Sequence, residues 1–311
     1  MLTIFRSTDL GLEQRNEITL GCWVSLIDPT VDEIEQITSL GIPMDFITSP
    51  LDIDERARTE REDDGTTLIL IRIPYFQGTT VDVPYLTIPL AIIFNEQFIV
   101  TVCRRQNEIV QEFSSNKIRN LSTAKRNRFI LKLLLATANK YITLLRQINQ
   151  RTEALEDQLQ LSMQNKEVLE LLKYQKSLVY FTTGLKTNEM LMERLQRSQL
   201  FRMYPDDEDL LEDVITENQQ ALEMVNISNN ILSSMMDAFA SIISNNLNVV
   251  MKFLASVTII LNIPTIVFAF WGMNVTPLPF QGSSFAYVII IGISIGLIAA
   301  KTFMFVKRKW F

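Results

Sequence analysis

From Phe253 to Ala300 the chain runs 48 residues without Asp, Glu, Lys, Arg or His, in an otherwise charge-rich sequence. A helix crosses a bilayer with about 20 apolar residues. The stretch is too long for one span and fits two, joined by a short turn. That turn is legible as Trp271-Gly272-Met273-Asn274-Val275-Thr276-Pro277-Leu278-Pro279-Phe280-Gln281-Gly282-Ser283-Ser284. The 252 residues up to Lys252 are of ordinary globular composition and precede a two-span hairpin.

The charge balance narrows the function classes. There are 35 Asp+Glu against 29 Lys+Arg, a net charge of -6. Nucleic-acid binding needs a concentrated basic face, and the two basic clusters, Lys125-Arg126-Asn127-Arg128 and Lys307-Arg308-Lys309, are short. The chain has no histidine, which excludes His-based triads, His general bases and His-containing zinc sites. It has no Gly-rich phosphate loop, no nucleophile-base pair and no redox Cys pair, so neither an enzyme, a nucleotide partner nor an organic cofactor is expected. Cys22 and Cys103 sit inside apolar runs and read as small buried hydrophobes in a reducing cytosol.

The N-terminal residues lack the apolar core of a signal peptide, so the large domain is expected to stay in the cytosol. Lys307-Arg308-Lys309 after the second span, and Lys252 before the first, satisfy the positive-inside rule. Both termini are expected on the cytoplasmic side of the cell membrane.

The pattern predicts an α+β membrane protein. Residues 1–118 form an α/β domain, 119–247 a long-helix stalk domain, 248–271 the first span, 272–284 the external loop, 285–306 the second span and 307–311 a basic tail. Ile18–Leu26, Thr67–Tyr75, Leu86–Phe94 and Phe98–Cys103 are β-branched, apolar runs of strand length. Asn95-Glu96-Gln97 reads as a hairpin turn, and Thr30 with Glu33 as a capping box. Beyond Thr123 the composition turns to helix formers, with Gly184 the only glycine between Gly78 and Gly272. Helices are predicted over 123–164, over 166–200 and from Asp206 onward. Pro205 followed by Asp206-Asp207-Glu208-Asp209 marks the third start. No Pro or Gly then appears until Pro264, so that helix can run unbroken from cytosol into membrane.

Two spans cannot enclose a polar path alone; several copies around an axis can. Asn248, Met251, Ala255, Thr258, Asn262, Thr265 and Ala269 recur at steps of three and four, one helix face. The same polar residues also fit interhelical contacts, with Thr bonded to its own helix. Gly292-Ile-Ser-Ile-Gly296 in the second span reads as close packing against the first. The membrane segment offers only amides, hydroxyls and carbonyls. Such groups accept hydrogen bonds from a water shell, which suits Mg²⁺, an ion that dehydrates reluctantly.

At Gly272-Met273-Asn274, following the first of two C-terminal spans, the chain resembles the CorA family of divalent-cation channels. The architecture as a whole shares the resemblance, and Leu51-Asp-Ile-Asp-Glu-Arg-Ala-Arg-Thr-Glu-Arg61 is similar to an acidic-basic motif early in those proteins. The resemblance implies a funnel-shaped homopentamer that admits Mg²⁺. It places hydrated Mg²⁺ at Asn274, in an outer mouth shaped by Gly272 and Met273. It puts pore positions at Thr265, Asn262, Leu254, Met251 and Asn248, beside Thr258 of the stripe, with Leu254 and Met251 as a dewetting gate. Many members carry Met where this chain has Asn262. Many also carry an acidic outer loop, whereas Val275 to Gly282 is uncharged here. Closure by cytosolic Mg²⁺ falls by the same resemblance on Asp213, with Asp82 of a neighbour as the partner. Asp206 to Asp209 read as a solvated acidic helix start. A transporter of Zn²⁺, Co²⁺ or Ni²⁺ with the same architecture, and a membrane-anchored scaffold, are the alternatives.

Overall fold

The structure, a computed structural model, describes residues 1–8, 11–115, 117–118, 121–162, 165–198, 201, 204–275, 278–279, 284–308 and 310. The chain divides into two compact units, Met1–Met235 and Met236–Phe311.

The first unit is built on a seven-stranded sheet. Its strands are β1 (Leu2–Thr8), β2 (Gly11–Arg15), β3 (Trp23–Ile27), β4 (Arg58–Arg61), β5 (Thr67–Phe76), β6 (Tyr85–Phe94) and β7 (Ile99–Cys103). Their spatial order is β2-β1-β3-β7-β6-β5-β4, and only β3 and β7 run parallel. The near-continuous apolar sequences of β5 and β6 follow from burial on both faces. Ile69, Ile71, Ile73, Leu90 and Ile92 feed one core, while Leu68, Leu70, Ala91 and Ile93 feed the other. The second core is closed by Ile34 and Ile37 of α1 (Val31–Thr38) and Phe46 and Ile47 of α2 (Met44–Thr48). The first is closed by α3 (Glu108–Ser114) and by α4 (Arg126–Ser162), α5 (Asn165–Arg197) and the start of α6 (Pro205–Trp271). Trp23 anchors it, stacked 5.0 Å from Phe5 and tilted against Phe129 at 5.2 Å, with its indole N–H donated to Thr101 Oγ1 at 2.9 Å.

The Thr30–Glu33 capping box forms, and Asn95 closes the β6–β7 hairpin by accepting from the N–H groups of Gln97 and Phe98. The first strand expected over Ile18–Leu26 begins only at Trp23. Gly21, at φ +76°, turns the chain just before it, and its N–H is donated to the Gln97 carbonyl. Three strands are additional to those expected. Of these, β2 and β4 are the two sheet edges, and their sequences, GLEQR and RTER, are charged. Charge on an edge strand blocks pairing with other chains and also hides the strand from a hydrophobic pattern.

The helix α5 lies against β5 and β6 at its one glycine. A Cβ on Gly184 would stand 2.6 Å from Tyr141 Oη and 2.8 Å from Thr87 Cγ2, so only glycine permits this approach. Below it, Arg72 donates to Thr87 Oγ1 and O, to Glu55 O at 2.8 Å, and to Ile53 O. Burial lowers the Arg72 pKa, partly countered by Tyr141 and the nearby carboxylates. These bonds pin the 51–61 segment to the sheet. Arg58 then pairs with Glu55 and Glu60, which joins three of the seven charges of the acidic-basic motif to one another.

The helix α6 is 67 residues long, about 100 Å at 1.5 Å per residue. Pro205 opens it, and Asp206, Asp207 and Glu208 occupy its first turn. In the second unit its apolar end is followed by α7 (Ala286–Lys307). Both helices are long and apolar enough to cross a membrane.

Candidate functional site

Within the second unit, Asn248, Met251, Leu254, Thr258, Asn262 and Thr265 are all exposed on α6. Ser256, about 120° around the helix from Asn262, is fully buried. The stripe shares its exposure with most of the span, of which only 6% is buried within the chain. Its two threonines are alike: Thr258 donates its hydroxyl to Leu254 O at 2.8 Å, and Thr265 to Leu261 O at 3.3 Å. A hydroxyl has one donor and two acceptor lone pairs. With the proton engaged in the helix, each oxygen presents acceptor capacity outward. Asn262 is different, because its amide finds no hydrogen-bond partner among the described residues. Met251 and Leu254, 58% and 53% exposed, form the apolar part of the face.

The helix stops at Trp271. Gly272 donates its N–H to Phe268 O at 2.9 Å, and a Cβ there would meet that same carbonyl oxygen at 3.3 Å. The glycine lets the chain turn tightly against the end of the helix, and Met273 and Asn274 follow it exposed. Thr276, Pro277, Phe280, Gln281, Gly282 and Ser283 of the outer loop, and Lys309 of the tail, lie outside the described residues.

The small-residue motif of α7 does not pack as expected. A Cβ at Gly292 or Gly296 meets nothing within 4 Å, while Ser294 between them is buried. Residues two apart on a helix point to different sides, so the glycines and the serine cannot share one contact.

In the first unit, Asp213 is exposed on α6. Asp82 is also exposed and pairs with Lys176 of α5 at 2.7 Å. Among the described residues no three His, Cys, Asp or Glu side chains converge as a metal site. The acidic start of α6 departs from a solvated helix end. Asp207 is only 3% exposed and accepts from Arg128 Nε at 3.0 Å, while Asp206 accepts from Arg128 Nη2 at 3.0 Å. The two carboxylates, Asp207 foremost, raise the Arg128 pKa. Glu208 and Asp209 remain exposed. A cleft of about 450 Å³ opens here between Ala124–Arg128 and Tyr204–Asp207, far along the sequence from the apolar spans. No pattern within either segment reveals this contact, because Arg128 and Asp207 are 79 positions apart.

A soluble α/β domain, a helix that continues into an apolar span and a second span after a tight Gly-Met-Asn turn define a two-span membrane protein. The chain belongs to the family of CorA-like Mg²⁺ transporter proteins, whose family model matches residues 21–308. It is 25% identical over 299 residues to the cobalt/magnesium transport protein CorA of Methanocaldococcus jannaschii, covering 93% of this chain and 90% of that one. It is 28% identical over 205 residues to the protein of the same name from Thermotoga maritima, covering 62% of this chain and 55% of that one. The complete structure of the M. jannaschii CorA magnesium transporter superposes with a TM-score of 0.86 at 22% identity, over 100% of this chain and 99% of that one. The full-length CmaX structure gives 0.69 at 15% identity, covering 97% of each chain. The protein is thus a member of a transporter family, with two C-terminal spans in the cell membrane and its α/β domain in the cytoplasm.

Proposed function

We propose that the chain assembles as a homopentamer whose five copies of α6 line a channel for Mg²⁺ influx. The observation that carries this reading is the polar stripe of the first span: neutral oxygens from Asn248, Thr258, Asn262 and Thr265, with the threonine protons turned inward. A divalent ion keeps its tightly held waters, and these oxygens accept from them. Asn274 at the turn after the helix binds the incoming hydrated ion, with Gly272 and Met273 setting the loop. The uncharged outer loop leaves this recognition to the amides. Met251 and Leu254, on the cytosolic side of the path, close it by excluding water.

Asp213 supplies one ligand of a regulatory Mg²⁺ site completed by a neighbouring copy. Asp82 is offered to that site only when it leaves Lys176, so ion binding competes with a salt bridge inside the chain. Occupancy of such sites at high cytosolic Mg²⁺ holds the funnel closed. The test is native mass spectrometry of the detergent-solubilised protein, paired with dye-reported Mg²⁺ uptake into proteoliposomes. Five copies and saturable uptake support the reading. A monomer without flux contradicts it. Uptake of Zn²⁺, Co²⁺ or Ni²⁺ without Mg²⁺ reassigns the cargo.

A further inference from the structure

Lys301 is a cation inside a membrane span. The helix α7 starts at Ala286 and enters an apolar layer about 30 Å thick. Lys301, fifteen residues on, stands about 22 Å from that start, about 8 Å short of the inner boundary. It is exposed on the helix, and Leu297, one turn before it, is 45% exposed. No hydrogen bond or ion pair holds the Lys301 ammonium among the described residues.

An ionisable side chain at membrane depth needs a counter-charge or water. The spans have no counter-charge to give. Asp237 is the last Asp or Glu of the sequence. It lies fifteen residues before Lys252 on α6, about 22 Å toward the cytosol. Every copy of the chain carries the same two spans, so no assembly of copies brings an Asp or Glu of these helices to the depth of Lys301. The counter-charge comes from outside the protein.

The surroundings of Lys301 define what supplies it. Arg308 is seven positions further on, two turns along the same face and about 10 Å away. Phe305 lies between them on that face. The chain folds back beneath it: the Trp310 N–H is donated to Phe305 O at 3.0 Å, and the two rings stack with centroids 5.3 Å apart at 12°. Tryptophan belongs at the membrane–water interface, so the headgroup level falls between the two cations. A lysine stem runs along apolar surface and carries its ammonium to that level. Arg308, exposed just past the end of α7, meets it from the cytoplasmic side.

We infer that Lys301 and Arg308 form a binding site for the phosphate of an anionic lipid in the inner leaflet. The ammonium and the guanidinium bracket one phosphate, and Leu297 offers apolar surface to an acyl chain. A zwitterionic lipid brings its own cation beside the phosphate and fits two further cations poorly. The site requires only the two spans and is independent of the pore reading above.

The test is native mass spectrometry of the full-length protein in detergent, titrated with dioctanoyl phosphatidylglycerol or dioctanoyl phosphatidylcholine. Wild type, Lys301→Leu and Lys301→Arg are compared. Wild type binds the anionic lipid several-fold more tightly than the zwitterionic one. One basic residue at a membrane surface is worth about fivefold, so the leucine variant loses that preference by about this factor and the arginine variant keeps it. Equal affinity of wild type for the two lipids overturns the inference, as does an unchanged preference in the leucine variant. Equal losses in both variants also overturn it, since charge is then not what the lipid reads. Displacement of the bound phosphatidylglycerol by inorganic phosphate at equal concentration overturns the lipid assignment in favour of a soluble anion. If the leucine variant does not fold, Lys301→Gln is read against the same outcomes.

Discussion

The side-chain amide of Asn188 in α5 closes on the main chain of Arg72 in β5, accepting from its N–H at 2.8 Å and donating to its carbonyl at 2.7 Å. The edge strand β4 pairs with β5 only as far as Leu70. Two positions past that pairing, at Arg72, Asn188 supplies what the strand no longer does. Because both Arg72 groups face Asn188, Arg72 and its cross-strand partner Pro89 are a non-hydrogen-bonded pair. On its other side Pro89 lies beyond the end of the β7 ladder, which stops at Ala91 and Val102. A proline in a central strand therefore removes no ladder bond.

Asn188→Leu leaves the Arg72 N–H without its partner beneath a helix, while the Arg72 carbonyl keeps the bond from Tyr141 Oη. An unsatisfied buried group costs about 1–3 kcal/mol, and the variant is expected to lose stability in that range. A lowered melting temperature of the cytoplasmic domain, followed in the full-length protein by circular dichroism, checks this. Unchanged melting would mean that Asn188 is not the cap.

Gly184→Ala separates propensity from packing. In an isolated helix, alanine gains about 1 kcal/mol over glycine. Here the new methyl meets Tyr141 Oη at 2.6 Å, and that hydroxyl is itself donated to Arg72 O. Overpacking of this kind costs about 1–3 kcal/mol. The variant melts lower than wild type, and the double variant Gly184→Ala with Tyr141→Phe recovers part of the loss.

Glu33 links pH to the second core. Burial works to raise its pKa, but hydrogen bonds from the Met1 amino group and from the N–H groups of Thr30 and Leu2 outweigh it, and the net shift is downward. A carboxylate with a lowered folded pKa stabilises above its unfolded value, about 4.3, and that contribution disappears as pH falls through the folded value. Wild type is expected to exceed Glu33→Gln by about 1 kcal/mol at neutral pH. The gap narrows below pH ~4. A gap independent of pH would show that the charge is not responsible.

Much of this architecture was legible in the sequence because burial writes periodic patterns. The runs around Ile71, Ile92 and Val100 gave strands, and the stripe through Thr258 and Asn262 gave a helix face. The edges β2 and β4 were not legible, since Glu13, Arg58 and Arg61 carry the charge that edges require. Gly184 stood out as a lone glycine among helix formers, yet its reason lies on Thr87 and Tyr141, far away in sequence. Asp207 explained itself locally as a helix start, which concealed its burial against Arg128. Gly292 and Gly296 matched a packing motif, yet a Cβ at either meets nothing within 4 Å among the described residues.

Asp213 provides a test of regulation. In full-length protein, Mg²⁺ is expected to slow proteolysis of the cytoplasmic domain, and Asp213→Ala to require several-fold more Mg²⁺ for equal protection, as loss of one charged ligand dictates. Asp213→Ala protected at the wild-type concentration would remove Asp213 from the regulatory site.

The central claim is that hydrated Mg²⁺ enters through the turn ending at Asn274. The most direct measurement is Mg²⁺ uptake into proteoliposomes by wild type and Asn274→Ala, both shown to assemble alike. The account predicts saturable uptake in wild type and its loss in the variant. Equal Mg²⁺ uptake by the two proteins would contradict it.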